Sequence, residues 1–472
     1  MNSTQKTINT PTFKEIVLLT IPQMGLMLCH LLISMTDIWT AGKIDATSIT
    51  SSAQVITQNI EAASVQASLG VVSQIFALLM MITSFIASGC MATISQSLGS
   101  GLKERANRYA GLIIMLSATS GITVCICAIL FQDIIFNLMQ IANNLRPTLA
   151  IFFLTSCLGL PFYYILIMVN SIFRAYKKVW LPLCTLAIMA IGNLIGNLGF
   201  GLGYFGLPEF GAKGIAWTTF ACSVFGLVSN FTLAINYKII KKSSFAPWKW
   251  NKKAMPYLFK VGMPAAFSQI ITQLGSLTAI AIISKIPYES TNILAGMNVG
   301  MRVHSILLFP LSALNMSIVI FSGHLLGSGN RELLFNFGKK IAFKTGLLVI
   351  IPAFFLWFFR DPIINYFTED PKVKEQALLF LTFSCIMTPF ACTTSLLDGI
   401  FAGSGATVLP CKINAFTSWV VNIPLSWLLA ISLDFGAMGI YSTMLIVRLV
   451  TFALILQIFY KRKWLKYGLR KK

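Results

Sequence analysis

The stretch IVLLTIPQMGLMLCHLLISMTDIWTA, from Ile16 to Ala41, decides the fold. A helix needs about 20 apolar residues, at ~1.5 Å of rise each, to cross a bilayer, and this run exceeds that. Its apolar character is interrupted near the far end by the carboxylate of Asp37. An acid inside a span costs roughly 2.5 to 3.5 kcal/mol on insertion scales, and such acids commonly mark an ion or proton path. Asp37 is therefore the first candidate for function.

The rest of the chain repeats this character. Of 472 residues, 56% are hydrophobic and 11% charged, with a mean hydropathy of +0.77. Soluble domains are about one quarter charged, so these shares define a polytopic membrane protein. The formal charge of +21 would suggest nucleic acid in a soluble chain. Here the basic residues sit in short segments between apolar runs, where they face lipid headgroups, and no nucleic-acid partner is expected. The first fifteen residues are polar and include Lys6, Lys14 and Glu15, so no cleavable signal is expected. The ten cysteines fall mostly inside apolar runs, without metal-ligand or redox spacing, and read as packing thiols.

Hydropathy places twelve spans near 16–42, 69–97, 109–131, 148–172, 180–204, 212–237, 257–284, 292–325, 340–359, 377–402, 408–432 and 436–460. Alternate connections carry most of the Lys and Arg, including Lys103, Arg105, Arg108, Arg174, Lys241, Lys242 and Arg331. The opposite connections hold acids such as Asp361, Glu369 and Asp370. That asymmetry predicts cytoplasmic termini in the cell (inner) membrane.

The two halves repeat. Pro22 with Lys43-Ile44 recurs as Pro264 with Lys285-Ile286, and Leu98-Gly99-Ser100-Gly101 with Glu104 as Leu326-Gly327-Ser328-Gly329 with Glu332. Pro161-Phe162 recurs as Pro389-Phe390, and Phe210-Gly211-Ala212-x-Gly214-Ile215 as Phe435-Gly436-Ala437-x-Gly439-Ile440. An all-α membrane protein follows, with twelve transmembrane helices in two six-helix lobes related by a pseudo-two-fold axis along the membrane normal. The expected boundaries are an amino-terminal lobe at 1–237, a basic cytoplasmic linker at 238–256 and a carboxy-terminal lobe with a basic tail at 257–472. An extra Ser/Thr-rich stretch between Asp45 and Ser68 reads as an outer loop.

Together, Pro22 and Thr36-Asp37 in span one, the close of span two, Pro161-Phe162, Asn193 and Gly211-x-x-Gly214 resemble the multidrug and toxic compound extrusion (MATE) family over nearly the whole chain. The resemblance implies a secondary active efflux antiporter that exports amphipathic, often cationic compounds in exchange for protons or sodium. It also implies alternating access of two lobes, a monomer, no cofactor beyond the coupling ion, and small-molecule substrates as partners alongside the lipid bilayer. The family's amino-lobe cation site maps onto Asp37, Asn193 and Thr219, with Asn197 where an acid is usual. Sodium, if bound, would lie at Asp37 and Asn193; the missing second carboxylate points instead to protonation of Asp37. The carboxy-lobe positions Thr272, Gln273 and Ala391 offer no acid.

Depth arithmetic agrees. Asp37, Asn193, Asn197 and Thr219 all fall in the outer half of their spans, and Asn193 and Asn197 share a helix face because they are four apart. His30 lies two turns before Asp37. Arg302, His304 and Arg448 fall near mid-depth and, together with Asp398 and His30, are candidates for the substrate cavity. Asp398 is placed near the cytoplasmic end of span ten, where it would reach water or a lysine. No enzyme signature is present: there is no HExxH and no P-loop. The rival transport reading is a lipid-linked saccharide flippase, which basic residues Arg302 and Arg448 in the cleft would favour.

Overall fold

The computed structural model describes residues 10–44, 55–141, 145–286 and 290–469. Twelve helices among them are long and apolar enough to span a bilayer. They are α1 (Phe13–Ala41), α2 (Val55–Gly99), α3 (Lys103–Leu130), α4 (Arg146–Ala175), α5 (Trp180–Gly201), α6 (Ala212–Asn236), α7 (Trp248–Ile283), α8 (Ser290–Ser328), α9 (Arg331–Phe358), α10 (Pro371–Ser404), α11 (Val408–Ser432) and α12 (Gly436–Tyr460). The described residues contain no strand.

Two stretches differ from the sequence reading. Helix α2 begins at Val55, so the second part of the expected outer loop is helical; residues 45–54 of that loop lie outside the described residues. The segment from Val55 to Ala67 lacks Gly and Pro and contains three Ala, two Gln and one Glu, good helix formers that extend the helix beyond the apolar run. Helix α7 begins at Trp248 and runs through Pro256 and Pro264, so much of the expected linker is helix.

The chain divides into two compact units. One holds Ile21–Cys90 and Glu104–Met255; the other holds the described residues up to Thr20, Met91–Lys103 and those from Pro256 onward. In the first unit, α6 packs along α4 and α5, and Phe136, Phe153, Tyr164 and Ile215 fill a buried core. Gly121 of α3 lies against Pro161, where an added Cβ would stand 2.8 Å from the proline Cα. The segment after α6 lies back over α3: Ile239, Ile240 and Ser244 are buried, and a Cβ on Gly111 would meet the Ser244 carbonyl at 2.2 Å.

The second unit repeats this packing, with α10 lying against α8, α9 and α12. Gly346 of α9 sits over Pro389 and Thr393, as Gly121 sits over Pro161. Gln96, fully buried at the end of α2, donates to the Gly403 carbonyl and accepts from Tyr257 and from the Leu469 amide. Thr20 pairs with Ser317 of α8 at 2.9 Å. These bonds satisfy polar groups that hydrocarbon surroundings would otherwise leave unpaired.

Candidate cation-coupling site

Local backbone features bring the site together. Gly192 and Gly196 let α5 lie close to α6: a Cβ on Gly196 would stand 2.4 Å from Thr218 Cγ2. Where α5 ends and α6 begins, Gly211 takes φ +54, and a Cβ on Gly214 would stand 2.0 Å from the Phe200 carbonyl, so the start of α6 is docked onto the end of α5. The face of α5 carrying Asn193 and Asn197 and the face of α6 carrying Thr219 then converge on Asp37 of α1. At Asn197 the helix opens into a π-turn segment, Asn197–Gly201. Such insertions re-aim side chains and recur at functional sites.

All four predicted residues meet. Asn197 Nδ2 donates to Asp37 Oδ1 at 2.7 Å and Asn193 Nδ2 donates to the same oxygen at 3.2 Å. Thr219 Oγ1 lies 3.3 Å from each carboxylate oxygen. The donors are linked among themselves: Asn193 Nδ2 reaches Thr219 Oγ1 at 3.2 Å, and Asn197 Nδ2 reaches Asn193 Oδ1 at 3.3 Å. Both asparagines are fully buried, whereas Asp37 is half-buried. No Lys or Arg forms an ion pair with Asp37 among the described residues. The carboxylate is held by neutral dipoles alone, and hydrogen bonds to a charged acceptor are individually strong.

One atom stands apart: Asn197 Oδ1 is buried and has no hydrogen-bond partner among the described residues. Orphaned buried acceptors are rare and call for a physical reason. Two threonines that sequence reading passed over border the site, Thr40 one turn beyond Asp37 and Thr218 beside Thr219; both have buried, unpartnered hydroxyls. Their helical spacing from named candidates was the available signal. A crevice of about 640 Å³ opens beside the cluster, lined by Phe200, Phe210, Trp217, Thr218 and Cys222. In the second half, the repeat mate of Asp37 is Ala279, and no carboxylate stands there.

The remaining candidates separate from this cluster. His30 points its Nδ1 at the Tyr163 hydroxyl, 3.3 Å away, rather than at Asp37. In the second unit, His304 Nε2 bonds Thr388 Oγ1 at 2.8 Å, and Arg448 is the charged neighbour of both His304 and Asp398. Asp398 is half-buried. Its Oδ1 is buried without a hydrogen bond, and its charge faces Arg448 beyond ion-pair distance. Arg302 is exposed and stands outside that group.

Twelve spanning helices with a hydrogen-bonded carboxylate between three of them define a polytopic membrane protein with a buried polar site. The MatE family profile matches residues 22–198 and 264–428, and the chain belongs to that family. Among similar proteins are the "Probable multidrug resistance protein NorM" of Thermotoga maritima, 22% identical across 96% of this chain and 93% of its own length, and the "FAD transporter" of Shewanella oneidensis, 27% identical across 76% and 78%. Among solved structures, the bent form of the Vibrio cholerae MATE transporter VcmN superposes with a TM-score of 0.80 at 17% identity, covering 97% of this chain and 98% of that one. An outward-facing MATE family transporter superposes at 0.77 and 19%, covering 95% and 96%. The fold is the twelve-helix, two-lobe arrangement of these transporters.

Proposed function

We propose that this protein is a proton-coupled antiporter that exports amphipathic, often cationic compounds across the inner cell membrane, as a monomer with both termini cytoplasmic. The observation that carries the reading is the neutral cage around Asp37. Sodium would need oxygen ligands, yet both asparagines turn their amide nitrogens to the carboxylate. A proton needs only a new acceptor. Asn197 supplies one: a turn of its amide would offer the orphaned Oδ1 to a protonated Asp37, exchanging an N–H donor for a C=O acceptor. The charged and neutral forms of Asp37 would thus select different arrangements of α1 against α5, and a two-state element biased by one proton can couple to substrate release.

The multidrug resistance names of several relatives support export of varied compounds. A basic cleft for lipid-linked saccharides loses support because Arg448 faces Asp398. The test is transport in proteoliposomes of defined orientation, with ethidium, a fluoroquinolone and FAD as separate cargoes under an imposed pH or sodium gradient. Cation export driven by the pH gradient, and lost in Asp37→Asn, is expected. Export driven by sodium alone overturns proton coupling, and transport of FAD alone overturns the substrate class.

A further inference from the structure

The second unit has a crevice of about 1090 Å³ bounded by α9, α10 and α12. Its lining changes character along α9. One end carries Lys339, Lys340 and Lys344; the other is walled by Phe354, Trp357 and Ile386. Lys339 and Lys340 are exposed, and so are Phe354 and Ile386. From Lys344 to Trp357 the helix rises roughly 20 Å at ~1.5 Å per residue. One leaflet's hydrocarbon is about 15 Å thick, so the crevice runs the depth of a leaflet from a cationic rim.

The internal repeat shows what such a place requires. The mates of Lys339, Lys340 and Lys344 in the first half are Gly111, Leu112 and Leu116. There the chain itself covers the surface: Ser244 lies on Gly111, and Leu112 is 2% exposed. After α12 the chain takes a different course. Trp464 packs against Phe401 and Phe459, and the tail continues to Gln96, leaving the lysine rim uncovered. The surface that the chain itself covers in one repeat is, in the other, open and edged with three positive charges.

We propose that this crevice binds an anionic phospholipid, its phosphate held by Lys339, Lys340 and Lys344 and an acyl chain laid along Phe354 and Ile386. Basic pockets between membrane helices recognise such headgroups, and the apolar length rules out a headgroup-sized anion as the sole occupant. The lipid replaces the covering that Ile239–Ser244 gives the first half, and steadies α9 against α10.

The test is native mass spectrometry of the full-length protein released from bilayers of equal phosphatidylglycerol and phosphatidylcholine. Phosphatidylglycerol should be retained preferentially. Retention should fall at least ~tenfold in K339Q/K340Q/K344Q but stay unchanged in K238Q/K241Q/K242Q, which removes three exposed lysines elsewhere. Ile386→Trp, which fills the apolar end, should also lose the lipid with the lysines intact. Melting in pure phosphatidylcholine nanodiscs should match wild type for every variant, which separates lost binding from lost folding. Equal retention of both lipids, retention by the triple lysine variant, or displacement by millimolar inorganic phosphate would each overturn the proposal. So would a dimer cross-linked through Ile386→Cys.

Discussion

Gly99 of α2 and Gly327 of α8 are packed reciprocally. A Cβ on Gly99 would stand 2.1 Å from the His324 carbonyl, and a Cβ on Gly327 would stand 2.2 Å from the Gln96 carbonyl. His324 and Gln96 are repeat mates, each three residues before its own glycine. Residue i of one helix meets residue j of the other and j meets i, the signature of a two-fold contact. The repeated Leu-Gly-Ser-Gly motif is thus a crossing point built by both copies of the repeat.

That contact fixes the first prediction. Alanine at either position drives a methyl into a carbonyl, and the helices can relieve it only by separating. Overpacking of this kind costs about 1 to 3 kcal/mol. Gly99→Ala and Gly327→Ala should each lower the melting temperature in detergent, while Gly70→Ala, with open space around its Cβ, should leave it unchanged. Equal melting for all three would show that the crossing is not tight.

Thr219 gives the second. Its hydroxyl lies at 3.3 Å from both oxygens of Asp37, and Thr219→Val keeps the shape while removing that donor. Loss of one hydrogen bond to a charged group is worth about 1.5 to 3 kcal/mol. Because this bond favours one charge state of Asp37, the pH dependence of export should move while the maximal rate changes little. A profile that keeps its midpoint would exclude Thr219 from the coupling step.

How much of this was readable beforehand depended on whether the determinant lay within one helix. Asp37 is conspicuous as an acid in an apolar run, whereas Asn193, Asn197 and Thr219 were joined to it by the family resemblance, with the four-residue spacing of the asparagines in agreement. The twelve spans followed from hydropathy for the same local reason. The π-turn segment at Asn197 and the buried Thr40 hydroxyl were not legible, since each depends on how neighbouring helices pack. The loop expected between Asp45 and Ser68 failed in its second part because polarity was taken for irregularity, although Ala, Gln and Glu are sound helix formers.

The Arg448–Asp398 pair supplies a third prediction. Removing one partner leaves the other charge poorly compensated near hydrocarbon, so Arg448→Gln and Asp398→Asn should each destabilise the protein, and the double variant should recover part of the loss. Thermal melting of the four proteins forms the cycle. Strict additivity would mean that the two charges do not act on each other.

The fourth prediction turns on Asn197, the position where this chain lacks an acid. With Asn there, the site holds one negative charge and two amides that donate to it. Asn197→Asp removes the shortest donor, at 2.7 Å, and sets a second carboxylate in its place. Two buried carboxylates at hydrogen-bond distance repel unless a cation or a shared proton lies between them. Sodium at millimolar concentration should therefore raise the melting temperature of Asn197→Asp, by the linkage that stabilises any state binding a ligand, and leave wild type unchanged. In transport, a sodium gradient should begin to drive export in the variant. Sodium-dependent melting already present in wild type would mean that the asparagine amides turn to present their oxygens, and that sodium rather than the proton is the native coupling ion.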